Sequence, residues 1–439
     1  MKQIKLSKYV SIDTNSSSGY WFGYYNYDTL NYDQTKMLAQ YVQHDAEVIK
    51  KGMIIDIGYF NNAGDFFKLG ESDSYSWPQG SMVQWLNSSS QDERIIYNLS
   101  KDGRLISKII DLKTKEQKDI DWSIYGLTPD GKKSIALDME RSYWCRAYHY
   151  ESVANPEKEG KIAKGDGIFE IDLEKNTRKL LIPIEKIINV DKEAYFDEAK
   201  HWLEHIMVSP NGKRFCFLHR FTIGNLNDYE TRLFIADIDG SNLQIIDGWR
   251  KFSWSHFGWN TDDTFAIYAY ELKCRKIQLK QSSNIGQNIN TKACVKNIVK
   301  ALMPKTILRF AKSMFKYQKT YYQYYSIVDG KFKLKENFNY PIFSIDGHPS
   351  FTNDGRYMIT DTYPDDNQYQ HLIVFDTITH KGIVVAKIYA ALHLKPGSCD
   401  LHPKLCKDNS IVVVDTAFDG KHHMLKLRLD WNLIKNKIS

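Results

Sequence analysis

The sequence predicts an all-β protein folded as a seven-bladed β-propeller, and two observations carry that prediction. A strand–turn–strand pattern recurs along the 439 residues, most clearly at 127–138, 208–219, 259–270 and 351–362. A second hairpin follows each copy, as at 167–182, 232–246 and 371–388. Apolar strands on both sides of an Asn, Asp or Gly turn are typical of β-hairpins. Radial repetition of such four-stranded units leaves only short sheet edges, which is the propeller architecture.

Looser copies at 30–41, 85–98 and 405–416 bring the number of units to seven. The last strand, at 423–431, has no partner downstream, so we expect residues 3–10 to pair with it and close the ring. A pair of β-sandwiches is the alternative architecture, but it does not predict seven similar hairpin pairs. Residues 1–439 are therefore expected to form a single domain.

Composition narrows the class of protein. A hydrophobic fraction of 42% and an aromatic fraction of 13% are enough for a sizeable core and exclude a disordered chain. The six cysteines form no CxxC pair, which favours reduced thiols. The N-terminal residues lack the apolar stretch of a signal peptide, and no run of 18 apolar residues occurs. We therefore expect a cytoplasmic protein.

Four histidines occupy one position of the repeat. His205, His256, His348 and His402 each stand seven residues before an equivalent turn position, namely Gly212, Asp263, Gly355 and Asn409. The strand that enters the first hairpin of a propeller blade is the innermost one, so these side chains are expected to converge on the axis. Convergent imidazoles suit a divalent metal site or a general base. The alternative is polar packing that fills a narrow channel.

Further polar residues are expected near the histidines. Asp346 and Asp400 each precede a histidine of the set by two residues, as an acceptor or an oxygen ligand would. Gln79 precedes the inner strand of blade two, and His219 and Arg220 end the strand after the blade-four turn. Arg146 ends the corresponding strand of blade three among aromatic residues. Arginine beside aromatic rings suits an anionic sugar, because it offers a carboxylate clamp beside flat stacking faces.

The histidine-bearing motifs resemble those of oligogalacturonate lyases and of propeller relatives in bacterial polysaccharide gene clusters. The motifs are HIMVSPNGKRFCFLHR at 205–220, SHFGWNTDD at 255–263, DGHPSFTNDGR at 346–356 and CDLHPK at 399–404. The resemblance implies a seven-bladed propeller with His205 as the base and Arg220 as an assisting arginine. It implies that His256 and His402 bind a manganese-type cation, and His348 belongs to the same ring. The lyases carry a glutamine and two histidines in the last blade, where this chain reads Ser398-Cys399-Asp400-Leu401-His402-Pro403.

The expected function is therefore a lyase that cleaves an acidic, uronate-containing oligosaccharide by metal-assisted β-elimination. A cation or guanidinium on the uronate carboxylate stabilises the enolate-like transition state, and a neutral imidazole serves as base. Gln79, Arg146, His219, Asp346 and Asp400 are the expected substrate-binding residues. A non-catalytic propeller that binds glycan or protein and a transferase or hydrolase using the same site are the alternatives.

A basic insertion is expected between blades five and six, over residues 272–328. Residues 273–319 contain 12 lysines and arginines, and no acidic residue occurs from 272 to 328. Apolar residues at helical intervals predict a partly helical segment with a basic amphipathic face. Residues 292–319 are expected to cap the propeller with their apolar face; contact with an anionic membrane at the inner face and binding of an acidic polymer are the alternatives. Nucleic-acid binding is not expected, because no recognition motif accompanies the basic residues.

Overall fold

Seven antiparallel sheets follow one another in chain order in the computed structural model, which describes residues 3–146, 150–272 and 317–439. Blade one contains β3 (Tyr20–Trp21), β4 (Lys36–Val42), β5 (Ile55–Asn61) and β6 (Phe66–Ser72). Blade two contains β7 (Gln84–Trp85), β8 (Arg94–Lys101), β9 (Arg104–Asp111) and β10 (Gln117–Ile120). Blade three contains β11 (Gly126–Leu127), β12 (Lys133–Ala136), β13 (Gly167–Asp172) and β14 (Thr177–Pro183). The seven-bladed propeller predicted from the repeat is confirmed.

Blades four and five carry the longest inner strands. Blade four contains β15 (Lys200–Val208), β16 (Arg214–Thr222), β17 (Glu230–Asp237) and β18 (Gln244–Ile245). Blade five contains β19 (Phe252–Thr261), β20 (Thr264–Leu272), β21 (Tyr317–Val328) and β22 (Lys331–Phe338). Because β20 pairs with β21, residues 273–316 connect two strands of the same blade. The predicted placement of the insertion between blades five and six is therefore wrong, and residues 317–328 belong to the sheet.

Chain closure joins the two ends of the molecule in blade seven. Blade six contains β23 (Ser350–Phe351), β24 (Tyr357–Thr360), β25 (Tyr369–Asp376) and β26 (Gly382–Tyr389). Blade seven contains β27 (Lys404–Leu405), β28 (Ile411–Thr416), β29 (His423–Leu429) and the N-terminal β2 (Val10–Asn15). The first strand, β1 (Ile4–Leu6), pairs instead with β26 as a fifth strand of blade six. Closure is thus made by β2, one segment later than expected.

Helices are few and short in the described part of the chain. They are α1 (Met139–Cys145), α2 (Ile184–Asn189) and α3 (Trp431–Ile438), with 3₁₀ turns at Glu151–Val153, Pro156–Lys158, Ala194–Glu198 and Pro341–Ser344. None of the helices in the described residues is long and apolar enough to cross a bilayer. The predicted amphipathic helix and membrane contact of 292–319 fall almost entirely outside the described residues.

Buried polar side chains tie each of four blades to the next one. The side chain sits on or just after the second strand and binds the backbone that enters the following blade. Gln40 accepts from Ser81 N at 2.7 Å, Asn98 from Ile124 N at 2.9 Å, Asp361 from His402 N at 3.1 Å and Asp415 from Phe22 N at 2.9 Å. These hydrogen bonds to backbone N–H groups next to the axis hold the inner strands in place. They therefore also position the side chains that face the channel.

Candidate functional site

A cavity of about 190 Å³ lies on the propeller axis and receives side chains from all seven blades. Its polar and aromatic lining includes Tyr24, Gln79, Tyr125, Arg146, Glu204, His205, Arg220, Tyr229, His256, His348, Tyr363, Asp400 and His402. Concave sites with a few convergent polar groups are the usual place for ligand binding. Eight of the ten site residues predicted from the sequence, including all four histidines of the register, therefore lie in one cavity.

The four imidazoles form an arc around the axis. Ring centroids lie 5.9 Å apart for His205 and His256, 4.0 Å for His256 and His348, and 4.3 Å for His348 and His402. Tyr25 of blade one packs against these rings, 5.0 Å from His348, and its hydroxyl donates to the carbonyl of Phe257 at 2.6 Å. Residues nearly 200 positions apart in sequence thus share one site.

β-Bulges place the first two histidines. The pairing of β15 with β16 shifts between Glu204 and Met207, and the pairing of β19 with β20 shifts between Trp254 and Phe257. His205 and His256 lie inside these irregularities, where an extra residue re-aims the side chain out of the pleat. His205 has a φ of 55° and His402 a φ of 44°, a left-handed backbone that non-glycine residues adopt rarely. Such conformations concentrate at functional sites.

Three of the histidines present the same nitrogen to the cavity. His348 Nδ1 donates to Asp361 at 2.9 Å, and His402 Nδ1 donates to the carbonyl of Gly23 at 2.9 Å. His256 Nδ1 lies 3.3 Å from Asp346. Because each Nδ1 faces an acceptor, it carries the hydrogen and leaves the lone pair on Nε2. His348 Nε2 is buried without a hydrogen-bond partner among the described residues.

The residues present fit a divalent cation. Ligand atoms of His348, Asp400 and His402 all lie within 4.8 Å of one another. Burial, with Asp361 and Asp346 nearby, raises the pKa of Asp400 well above its usual value, a cost that a bound cation would offset. Two imidazoles and one carboxylate suit first-row metals such as manganese and leave coordination positions open for a substrate. These candidate ligands fit the divalent metal expected from the sequence. One of them, Asp400, was expected to bind substrate instead.

His205 has the opposite hydrogen-bonding arrangement. Its Nε2 lies 3.3 Å from Oε2 of Glu204, and its Nδ1 accepts a hydrogen bond from the Tyr24 hydroxyl. Burial raises the pKa of Glu204, but Arg146, Arg220 and His205 hold it well below its usual value, so the carboxylate is ionised. The hydrogen of His205 therefore lies on Nε2 and the lone pair on Nδ1. Burial lowers the pKa of His205 to about 4, which keeps the ring neutral near pH 7.

Two arginines and a tyrosine complete this side of the cavity. Arg220 NH1 lies 2.6 Å from Glu204 Oε2, and Arg146 Nε lies 3.6 Å from Glu204 Oε1. Both guanidinium groups also donate to the hydroxyl of Tyr229 at 3.1 Å. The two arginines carry two positive charges, and the carboxylate between them neutralises only one. The remaining positive charge favours an anionic ligand.

Two predicted site residues, His219 and Asp346, lie away from the cavity, whereas Gln79 lines it. His219 is fully buried against His201, with Nε2 of His219 3.0 Å from Nδ1 of His201, because neighbouring strand residues face opposite sides of a sheet and Arg220 faces the axis. Asp346 lies behind His256 and also accepts from the Tyr270 hydroxyl at 2.7 Å. His219 and Asp346 are therefore not part of the cavity lining, and the substrate contacts expected of them stay predictions. Gln79 does line the cavity, and it donates to Tyr125 at 3.0 Å.

Sequence reasoning missed several members of the site. Glu204 directly precedes His205, and a carboxylate next to the predicted base was a usable signal. Asp361 lies 13 residues after His348, and Tyr24, Tyr25 and Tyr229 lie outside the repeat position that the histidines share. No local spacing marks these residues, because the propeller ring alone brings them to the axis.

Known structures with the same architecture include two oligogalacturonate lyases. One, in complex with manganese, has a TM-score of 0.59 at 15% identity, covering 99% of this chain and 100% of that chain. The other, from Vibrio parahaemolyticus, has a TM-score of 0.58 at 13% identity, covering 98% of this chain and 97% of that chain. No protein-family model matches the sequence, and no curated protein matches it. The resemblance to oligogalacturonate lyases that the histidine motifs indicated is thus confirmed at the level of the seven-bladed fold.

Proposed function

We propose that this protein is a metal-assisted lyase that cleaves a uronate-containing, acidic oligosaccharide by β-elimination. One observation carries the proposal. In a single cavity, three histidines carry their lone pair on Nε2, while His205 carries its lone pair on Nδ1 and is oriented by a carboxylate. A set of metal ligands and a separate base is the division of labour that proton abstraction next to a carboxylate needs.

The chain's own groups account for substrate binding and proton abstraction. Arg220 and Arg146 offer guanidinium groups for the uronate carboxylate, and the lone pair on His205 Nδ1 accepts the C5 proton once substrate replaces the Tyr24 hydroxyl. Glu204 holds the ring in the required orientation and stabilises the imidazolium that forms, as the carboxylate of a catalytic triad does. His348, Asp400 and His402 would hold the cation, with His256 beside them. When bound, the cation supplies Lewis-acid stabilisation of the negative charge that develops on the C6 carboxylate.

The reaction balances with these groups. The C5–H bond breaks and its proton goes to His205, while its electron pair forms the C4=C5 double bond. The C4–O4 bond breaks, and its pair leaves on O4, which takes up a proton, while His205 returns the C5 proton to water. The products are an unsaturated uronide and a sugar with a free hydroxyl. The neutral state of His205, set by its low pKa of about 4, is the state that a base requires.

Two histidine variants test the proposal. His205→Ala is expected to lower turnover of uronate oligosaccharides by about 10²–10⁴-fold while the purified protein keeps its metal. His402→Ala is expected to lose the metal and the turnover together. Turnover is followed by the ultraviolet absorbance of the unsaturated uronide, and metal content by elemental mass spectrometry.

His44→Ala is the matched control, because His44 is an exposed histidine with half of its side chain in solvent. It should keep both the metal and the turnover. A wild-type protein that binds metal but forms no unsaturated product from any uronate oligosaccharide would overturn the lyase proposal. Loss of metal in His205→Ala would show that this ring is a ligand and not the base.

A further inference from the structure

Tyr229 lies at the edge of the cavity, directly before β17, and takes no part in the proton abstraction by His205. Its ring stands edge-on to Trp202 at 5.8 Å and under the guanidinium of Arg220 at 4.4 Å. The ring lines the same cavity as His205. A phenol in this place is within reach of a ligand in the cavity.

The hydroxyl of Tyr229 is arranged to give its proton away. Its oxygen accepts one N–H from Arg146 and one from Arg220, both at 3.1 Å. Two donors on one phenol oxygen occupy its acceptor capacity, and its own hydrogen has no acceptor in the part of the chain that the structure describes. Burial raises the pKa of Tyr229, but Arg220 and Arg146 bring it below the usual value of a tyrosine.

We propose that Tyr229 is the general acid that protonates the leaving sugar oxygen in the β-elimination. The inference rests on the proposed lyase function and deepens it, because it names a second catalytic residue. As the C4–O4 bond breaks, its electron pair moves to O4, and O4 takes the proton of the Tyr229 hydroxyl. The phenolate that remains is stabilised by two guanidinium groups, and exchange with water restores its proton.

A row of contacting polar side chains lies between Tyr229, the proposed acid, and His205, the proposed base. Tyr229 contacts Arg220, Arg220 contacts Glu204 at 2.6 Å, and Glu204 lies 3.3 Å from His205. The C5 proton and the leaving oxygen are therefore served by two different groups at a fixed spacing. When His205 gains a proton and Tyr229 loses one, the net charge of this chain of groups does not change, so the low-dielectric site holds no new net charge.

Tyr229→Phe tests the assignment with two substrates. On a uronate oligosaccharide, in which the leaving group is a sugar alkoxide, turnover should fall by about 10²-fold or more. On a uronide with a nitrophenoxide at C4, which leaves without protonation, turnover should stay within a few-fold of the wild-type value. Equal losses on both substrates, or no loss on either, would overturn the assignment.

Exchange of the C5 hydrogen gives an independent readout. In D₂O, Tyr229→Phe should still exchange the C5 hydrogen of the oligosaccharide, whereas His205→Ala should not. Tyr32→Phe removes a hydroxyl from an exposed tyrosine and should match the wild type in both assays. Wild-type protein that neither exchanges nor eliminates would overturn the lyase function and this assignment together. Wild-type activity that Tyr229→Phe retains in full would overturn only the assignment.

Discussion

The hydrogen of a neutral imidazole lies on the nitrogen that faces an acceptor, and the acceptors in this cavity differ from one histidine to the next. Asp361 faces Nδ1 of His348, and Glu204 faces Nε2 of His205. The sequence register places both histidines at one repeat position, yet their lone pairs lie on different nitrogens. The register therefore predicted that the rings meet but not which ring acts as a base, because the deciding carboxylates lie outside the repeat pattern.

Asp166 should make stability depend on pH. Its carboxyl group is buried, Oδ1 accepts from Gly167 N at 2.7 Å, and Oδ2 has no hydrogen-bond partner among the described residues. Burial, and then Asp138, raise the pKa of Asp166 from its usual 3.8 to about 7. Between those two pH values the folded chain binds a proton that the unfolded chain has released. Its stabilising contribution is complete below pH 4 and is lost as the pH rises towards 7.

Asp166→Asn should remove this dependence and stabilise the protein by about 4 kcal/mol at pH 8 relative to the wild type. At pH 4 the two proteins should differ little. The measurement is urea unfolding at pH 4, 6 and 8, with Asp366→Asn, an exposed aspartate, as the control. A variant whose stability follows the wild-type pH curve would show that Asp166 is ionised in the folded protein.

At the scale of strands, the bulges of β15 and β19 determine where the His205 and His256 side chains point. Both bulges lie seven or eight residues before a turn, and they point His205 and His256 out of the pleat. The turns and alternating apolar residues predicted where these strands lie. A bulge has no comparable signal, because one extra residue leaves the apolar pattern of a nine- or ten-residue strand almost intact.

The junction of blades seven and one depends on a buried ion pair. Lys404 Nζ lies 2.9 Å from Asp415, and both side chains are only 2% exposed. Asp415 also accepts from Phe22 N and Gly23 N, each at 2.9 Å. Asp415→Ala should therefore lower the free energy of unfolding by about 3–5 kcal/mol, because it leaves a buried charge and two backbone donors without partners.

The exposed pair of Asp13 with Arg428 provides the comparison for this change, since both belong to the same blade. Asp13→Ala should cost about 0–1 kcal/mol. The double change Lys404→Met with Asp415→Leu should recover part of the loss, since it removes the unpaired charge. Equal effects of Asp415→Ala and Asp13→Ala in urea unfolding would refute a structural role for the buried pair.

For the whole molecule, the repeat predicted seven blades and a ring closed by the chain ends, but not the closing strand. Residues 3–10 and 10–15 both alternate, and both form strands, so composition does not distinguish them. The choice depends on pairing with strands almost 400 residues away. The placement of the basic insertion failed for a similar reason, since Tyr317–Val328 finds its partner β20 across 44 intervening residues.

Truncation should separate the roles of the two N-terminal strands. Deletion of residues 1–7 removes β1, which pairs with only three residues of blade six, and β26 then ends its blade as the outer strands of other blades do. The midpoint of thermal unfolding should change by about 3 °C or less.

Deletion of residues 1–16 also removes β2, which pairs with five residues of β29 and joins the start of the chain to its end. The midpoint should fall by about 10 °C or more, and the protein should aggregate through the exposed edge of β29. Metal content should fall in the longer deletion alone, because Asp400 and His402 belong to blade seven. If the longer deletion kept the midpoint and the metal of the shorter one, the contacts of Asp415 with blade one would be sufficient to close the ring.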